Sequence, residues 1–234
     1  MDLFDLAFTS YIYDFFTSFN ESYKSFLKRV DYDLDLLDPK DRRALIVWLN
    51  RWGCRQFSLD YHELASNEIL SWYNEGYLEV IPEEKRLWEL NKKEFKEIRA
   101  TYAELAQKTA SRKKRNGDLL SISVGPTGAS KILFALRPEV FVPWDIAIRK
   151  GLGYNDDSSS YVNYLKQAKS LIESLSTSCD KNDVELLEVP QKLGREKATV
   201  AQLIGEYYWV TETKDCYPPS PDTVQQWAKW SEDS

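Results

Sequence analysis

Few side chains in this 234-residue chain can do chemistry, and their types leave either carboxylate chemistry or none. His62 is the only histidine, so a Ser-His-Asp triad or a multi-histidine metal centre would rest on one residue inside a helix-patterned stretch. The cysteines, Cys54, Cys179 and Cys216, are too few and too scattered for a disulfide framework, a zinc knuckle or an iron–sulfur loop. No Walker loop, dinucleotide-binding glycine fingerprint or nucleophile elbow is written in the sequence. The expectation is a protein that uses no metal and no cofactor.

The remaining candidates sit in two runs, residues 121–133 and 141–153. Around Val124-Gly125-Pro126-Thr127-Gly128 the pattern predicts that one helix ends near Ser121 to Ser123, that the chain turns sharply at Gly125, and that a second helix starts at Pro126. The N–H groups in the first turn of a helix have no internal partner and carry its positive dipole end, so such a turn can seat a phosphate without a charged side chain. Asp145 comes after Pro143-Trp144 at the expected start of the next helix, eighteen residues after Thr127. An acid complements a helix N-terminus there. The same carboxylate can also stabilise positive charge developing on a sugar, or take a proton from an attacking water.

The charge distribution adds a second signal. Residues 85–131 carry 12 basic and 5 acidic side chains within a chain of net charge −6, and Arg112, Lys113, Lys114 and Arg115 are the densest point. A solvated helix face is one reading of such a run, and a phosphate-contacting patch is the other. Lys131 lies one helical turn beyond the bend, so the patch and the bend could address the same backbone.

These residues resemble the helix-hairpin-helix DNA glycosylase superfamily, which contains endonuclease III and the adenine-mismatch and 3-methyladenine glycosylases. Its hairpin reads Leu-Pro-Gly-Val-Gly, then a short variable stretch, then alanine; Val124-Gly125 and Ala129 resemble the second half, while the leading Pro-Gly is lost. Pro143-Trp144-Asp145-Ile146 is similar to the segment bearing the family's catalytic aspartate, and Arg149 and Leu152-Gly153 resemble the arginine and Leu-Gly downstream of that aspartate. The resemblance implies Asp145 as the catalytic residue and Val124, Gly125, Thr127, Gly128 and Lys131 at the DNA strand, joined by the basic run from Arg112 to Arg115. Trp144, Trp48 and Trp52 are the candidates for walls of a pocket that receives an extruded base. The family's backbone-cutting members carry a Schiff-base lysine where Thr127 stands, so the resemblance implies a monofunctional enzyme that attacks with water; Lys131, four residues on, is the displaced alternative.

The elements that must position these residues read as helical nearly throughout. Phe4, Phe8, Tyr11, Phe15, Phe19, Tyr23 and Phe26 form an aromatic stripe expected to be core. Asp38-Pro39 opens a helix through Trp48 that Gly53 can end, and Ser58 opens another to about Asn74. One long or two shorter amphipathic helices are expected over 82–110, short helices over 126–136 and 143–152, and further helices over 158–175, 183–189, 196–210 and 222–230. Asn116-Gly117 signals a turn, but no strand pair is read. The expected fold class is therefore all-α. The resemblance implies a two-lobed helical bundle, with residues 1–80 and 154–234 forming one lobe and the central helix-hairpin-helix, residues 81–153, the other.

With 43% apolar and 29% charged residues, 8 Trp, 14 Tyr and 10 Phe, the chain is neither low-complexity nor disordered. Met1-Asp2-Leu3-Phe4-Asp5 has acid where a signal peptide needs base, and no apolar run approaches the ~18 residues of a membrane span. The expectation is a soluble cytoplasmic monomer, nucleoid-associated if bacterial, acting on double-stranded DNA with a flipped base and away from membranes. Two other readings stand beside the glycosylase: a non-catalytic helix-hairpin-helix module in a repair or defence assembly, and an all-α interaction protein whose basic run meets an acidic partner.

Overall fold

A computed structural model describes residues 1–232 and contains eleven α-helices, the first ten of which supply side chains to one continuous hydrophobic core. Helices α1 (Leu3–Phe16), α2 (Phe19–Arg29), α3 (Pro39–Arg51) and α4 (His62–Asn74) come first. Local chemistry sets their ends. Asp2 and Asp5 form a reciprocal capping box on α1, Asp38 caps α3 ahead of Pro39, and Gly53 at φ +83° leaves α3 in a conformation that favours glycine.

Helix α5 (Lys92–Gln107) opens on a capping box between Asn91 and Glu94, and Lys85 holds Glu94 at 2.6 Å. Strands β1 (Thr109–Arg115) and β2 (Asp118–Ser123) come after it, paired antiparallel. Next are α6 (Gly125–Leu136), α7 (Ile146–Gly151), α8 (Ser158–Asp180), α9 (Val189–Lys192), α10 (Val200–Tyr208) and α11 (Pro221–Glu232). Residues Trp209–Thr213 continue α10 as a π-helical turn.

The expected helical character holds, and the hairpin corrects the expectation that the chain has no strand pair. Residues 118–123, expected to end a helix, are a strand, and Asn116 and Gly117, at φ +50° and +95°, form the two-residue turn that closes it. The N–H of Val124 donates to the carbonyl of Lys108 at 2.7 Å, so the ends of the ribbon meet at its root. Helices α5 and α6 pack together beneath it. The unit is thus two helices joined by a sharp turn, with a β-ribbon inserted in the connection.

The aromatic stripe divides. Tyr23 and Phe26 are buried on α2, but α1 turns Leu6, Thr9, Ser10 and Tyr13 inward and leaves Phe4, Tyr11 and Phe15 exposed. A helix has one inward arc, and packing against α10 and α8 selects the arc opposite the aromatics. Among the described residues, no helix is long and apolar enough to cross a membrane.

Candidate active site and nucleic-acid interface

A cleft of about 560 Å³ opens where segments from three parts of the chain meet: Tyr13 to Gln56, Ser123 to Arg149, and Gln202 to Trp209. Its size lies within the range of small-ligand sites. Asp145 and Thr127 both line it.

A set of hydrogen bonds fixes Asp145 beside the first turn of α6. Ser130, fully buried on α6, accepts from the Trp144 N–H at 3.2 Å and donates to the Thr127 carbonyl at 3.0 Å. The Trp144 indole N–H donates to the Tyr102 hydroxyl at 3.2 Å, which in turn donates to the Pro126 carbonyl at 3.1 Å. The preceding residue is therefore locked on both backbone and side chain. Asp145 is the N-cap of α7: one oxygen, Oδ1, accepts from the Ile148 N–H at 2.9 Å, and the other has no partner among the described residues. Capping thus leaves half of the carboxylate free while orienting the whole of it.

At the mouth of the cleft, Gly125 has φ +68°, the left-handed conformation the turn requires. No side chain caps α6. Its first-turn N–H groups are accordingly left to solvent or a ligand. The Gln56 amide donates to the Val124 carbonyl at 2.6 Å and ties the loop after α3 to the turn. A Cβ on Gly128 would meet the Gln56 Nε2 at 2.8 Å and the Val124 Cγ1 at 3.0 Å, so a larger residue there would have to displace the amide that ties the turn.

Lys131 is 8% exposed and lines the cleft, with its ammonium over the Trp52 ring and donating to the Trp52 carbonyl. Burial pulls it below the usual lysine range, against the opposing influence of Cys54 and Asp145. It is an interior amine facing the site rather than a surface cation on a strand.

The remaining expected residues divide between the cleft and its surroundings. Trp52 forms a wall with Phe19, Tyr13 and Trp209. Trp144 lines the edge but is 1% exposed, packed among Tyr102, Tyr161 and Tyr164. Trp48 is corrected as a pocket wall: its ring stacks on Phe26 in the core, a turn of α3 behind Trp52, and does not reach the cleft. Val124 is buried and Gly128 is packed, so they shape the turn from behind. Arg149 also lines the cleft, with its guanidinium over the Trp144 ring. Arg112 to Arg115 lie exposed along β1.

The cleft also has a polar end that no sequence motif announces. Glu206, fully buried, takes two hydrogen bonds from Arg195 at 2.6 and 3.0 Å and a third from Gln202 at 3.1 Å. Gln202 also donates to Asn20 at 3.2 Å, and its own carbonyl oxygen has no partner among the described residues. Burial pushes the Glu206 carboxyl up, opposed by Arg195. Asn20, Gln202 and Glu206 come from α2 and α10, about 180 residues apart in the chain, and nothing local in the sequence marks them as partners. Among the described residues, no group of three or more His, Cys, Asp or Glu side chains is placed to hold a metal ion.

The chain matches no protein-family model, no curated protein and no solved structure.

Proposed function

We propose that the protein is a DNA N-glycosylase that excises a damaged, mismatched or modified base after that base leaves the duplex. The observation that carries this reading is Asp145. It is held by its helix through one oxygen, free at the other, and set in an aromatic-walled cleft beside an uncapped helix N-terminus. The resemblance to the helix-hairpin-helix glycosylases supports the same assignment from Val124 to Gly153; residues 118–123, a strand in this chain, depart from it.

In this reading the α6 N-terminus takes a backbone phosphate next to the extruded nucleotide. Phe19, Trp52 and Trp209 offset the lost base stacking, and the Gln202 carbonyl offers an acceptor to an N–H on the base edge. The C1′–N bond then breaks, the base departs with the bonding electron pair, and positive charge gathers on the sugar. Asp145 stabilises that charge. Water adds its oxygen to C1′ and loses a proton to the carboxylate, while the departing base acquires its proton from solvent.

The test is a panel of duplexes carrying alkylated, deaminated, oxidised or mismatched bases, with release of free base measured by chromatography. No release from any member, with binding retained, would leave the non-catalytic DNA-binding module.

Lys131 supports a second route at the same site. A buried amine with a lowered proton affinity can attack C1′ as the base leaves; proton loss and ring opening then give an imine. Borohydride would trap that imine as a covalent protein–DNA complex. Trapping in the wild type and none in Lys131→Gln selects this route, whereas base release without trapping selects water.

A further inference from the structure

The ribbon β1–β2 presents cations on both of its faces. Strand alternation and the pairing register put Arg112 and Lys114 on one face, opposite Ser121 and Leu119. Lys113 and Arg115 lie on the other, opposite Leu120 and Asp118. Every residue from Arg112 to Ser121 is exposed; Leu119 and Leu120, one per face, are 54% and 46% accessible. The ribbon spans about 20 Å from root to tip at the usual strand rise. Its root, Ser123 to Gly125, is the lip of the cleft.

A flat anionic surface, such as a membrane or an acidic protein face, would meet one side of this ribbon and leave the other pair of cations in water. A groove walled by phosphates on both sides meets both. Resting on the nucleic-acid reading above, we propose that the ribbon enters the major groove of B-form DNA beside the cleft, with Arg112 and Lys114 facing one phosphate backbone and Lys113 and Arg115 the other. The choice of groove comes from width: the major groove of B-DNA, about 12 Å wide, admits a two-stranded ribbon as it stands, whereas the minor groove, about 6 Å, takes one only after the duplex is bent and the groove widened. The major groove of A-form RNA is deep and narrow and closed to such an element, so the ribbon discriminates DNA from RNA duplexes. Leu119 and Leu120 add an apolar contact to each face, which salt does not screen.

The experiment uses full-length protein carrying Asp145→Asn, so that no base is released during measurement. Affinity is read by fluorescence anisotropy across a salt series. The probes are a plain DNA duplex, the same duplex with glucosylated 5-hydroxymethylcytosine filling its major groove, and a double-stranded RNA of matching sequence. Neutralising the ribbon with R112Q, K113Q, K114Q and R115Q together is expected to reduce the slope of log affinity against log salt by about 3 to 4, near 0.9 per lost phosphate contact. Glucosylation and replacement by RNA are each expected to weaken wild-type-ribbon binding by about tenfold or more.

An unchanged slope, equal affinity for the glucosylated duplex, or equal affinity for the RNA overturns the proposal. So does ribbon-dependent binding to phosphatidylserine vesicles in preference to DNA. A second variant deletes residues 112–115 and 118–121, so that Ser111 and Ile122, already paired, close on Asn116-Gly117; it must lose the same affinity while melting at the wild-type temperature. Ribbon-dependent binding without base release sinks only the glycosylase reading. Base release with a dispensable ribbon sinks only this one.

Discussion

Replacing Asp145 by asparagine tests the proposed catalytic task of this side chain apart from its observed capping task. The Asp145 Oδ1 caps α7 through the Ile148 N–H at 2.9 Å, and asparagine caps a helix as well as aspartate does, so folding stability should stay within about 0.5 kcal/mol of wild type. The proposed catalytic task needs the negative charge. A carboxylate about 4 Å from a full positive charge, at the effective dielectric of about 20 that suits such sites, contributes about 4 kcal/mol. That corresponds to a loss of about a thousandfold in the rate of base release. Asp145→Ala should lose that and the cap, about 1 kcal/mol of stability in addition. The assay is single-turnover base release from the preferred duplex, with thermal or urea unfolding of the same samples. DNA binding by the asparagine variant should match or exceed wild type, because a negative charge near phosphate is gone. If that variant releases base within tenfold of wild type, the charge is not what Asp145 contributes. If asparagine destabilises as much as alanine, the capping account is wrong.

Three further outcomes rest on the geometry. Gly125→Ala forces a side chain into φ +68°, which should cost about 1 kcal/mol and weaken DNA binding at every salt concentration without changing the salt slope, since no charge is removed; unaltered stability would show that the turn tolerates other residues. Arg195→Met leaves Glu206 buried and unpaired and should destabilise by about 3 to 5 kcal/mol in urea unfolding, with much of the loss recovered in Arg195→Met with Glu206→Leu; a loss under 1 kcal/mol would mean that the pair is not closed to water. Lys131 has a folded-state proton affinity below its unfolded one, so its contribution to stability is fully present above the unfolded lysine value near 10.4 and is lost as pH falls through the lowered folded value. Wild type should therefore gain stability over Lys131→Met as pH rises from neutral toward that value, a difference that cancels the tyrosine titrations common to both proteins. A gap independent of pH would place the amine in water.

Sequence pattern makes some elements legible and hides others for physical reasons. The ends of α3 and the turn at Gly125 are readable because proline, aspartate and glycine act through their own backbone preferences. Asp145 is readable for the same reason, since a cap sits at a fixed place relative to its helix. The ribbon is not, although Asn116-Gly117 marks its turn. A strand is recognised by alternation between a buried and an exposed face, and the outer part of β1, beyond buried Ala110 and Ser111, runs Arg-Lys-Lys-Arg with both faces exposed. The exposed aromatics of α1 mislead in the opposite way: their period is helical, but periodicity does not say which arc meets the core. The network of Asn20, Gln202, Glu206 and Arg195 depends on the packing of α10 against the N-terminal helices, which no local spacing encodes.

The bond between Lys108 and Val124 makes the ribbon a self-contained cassette. With the two helices already joined at its base, lengthening or shortening the hairpin leaves their geometry in place, and doubling such a loop adds only about 0.6 kcal/mol of closure entropy. Insertions, deletions and charge changes can accumulate in that cassette while the scaffold below is held constant. Whatever the ribbon contacts can then change without disturbing the scaffold, so surface chemistry and fold maintenance are inherited as separate traits.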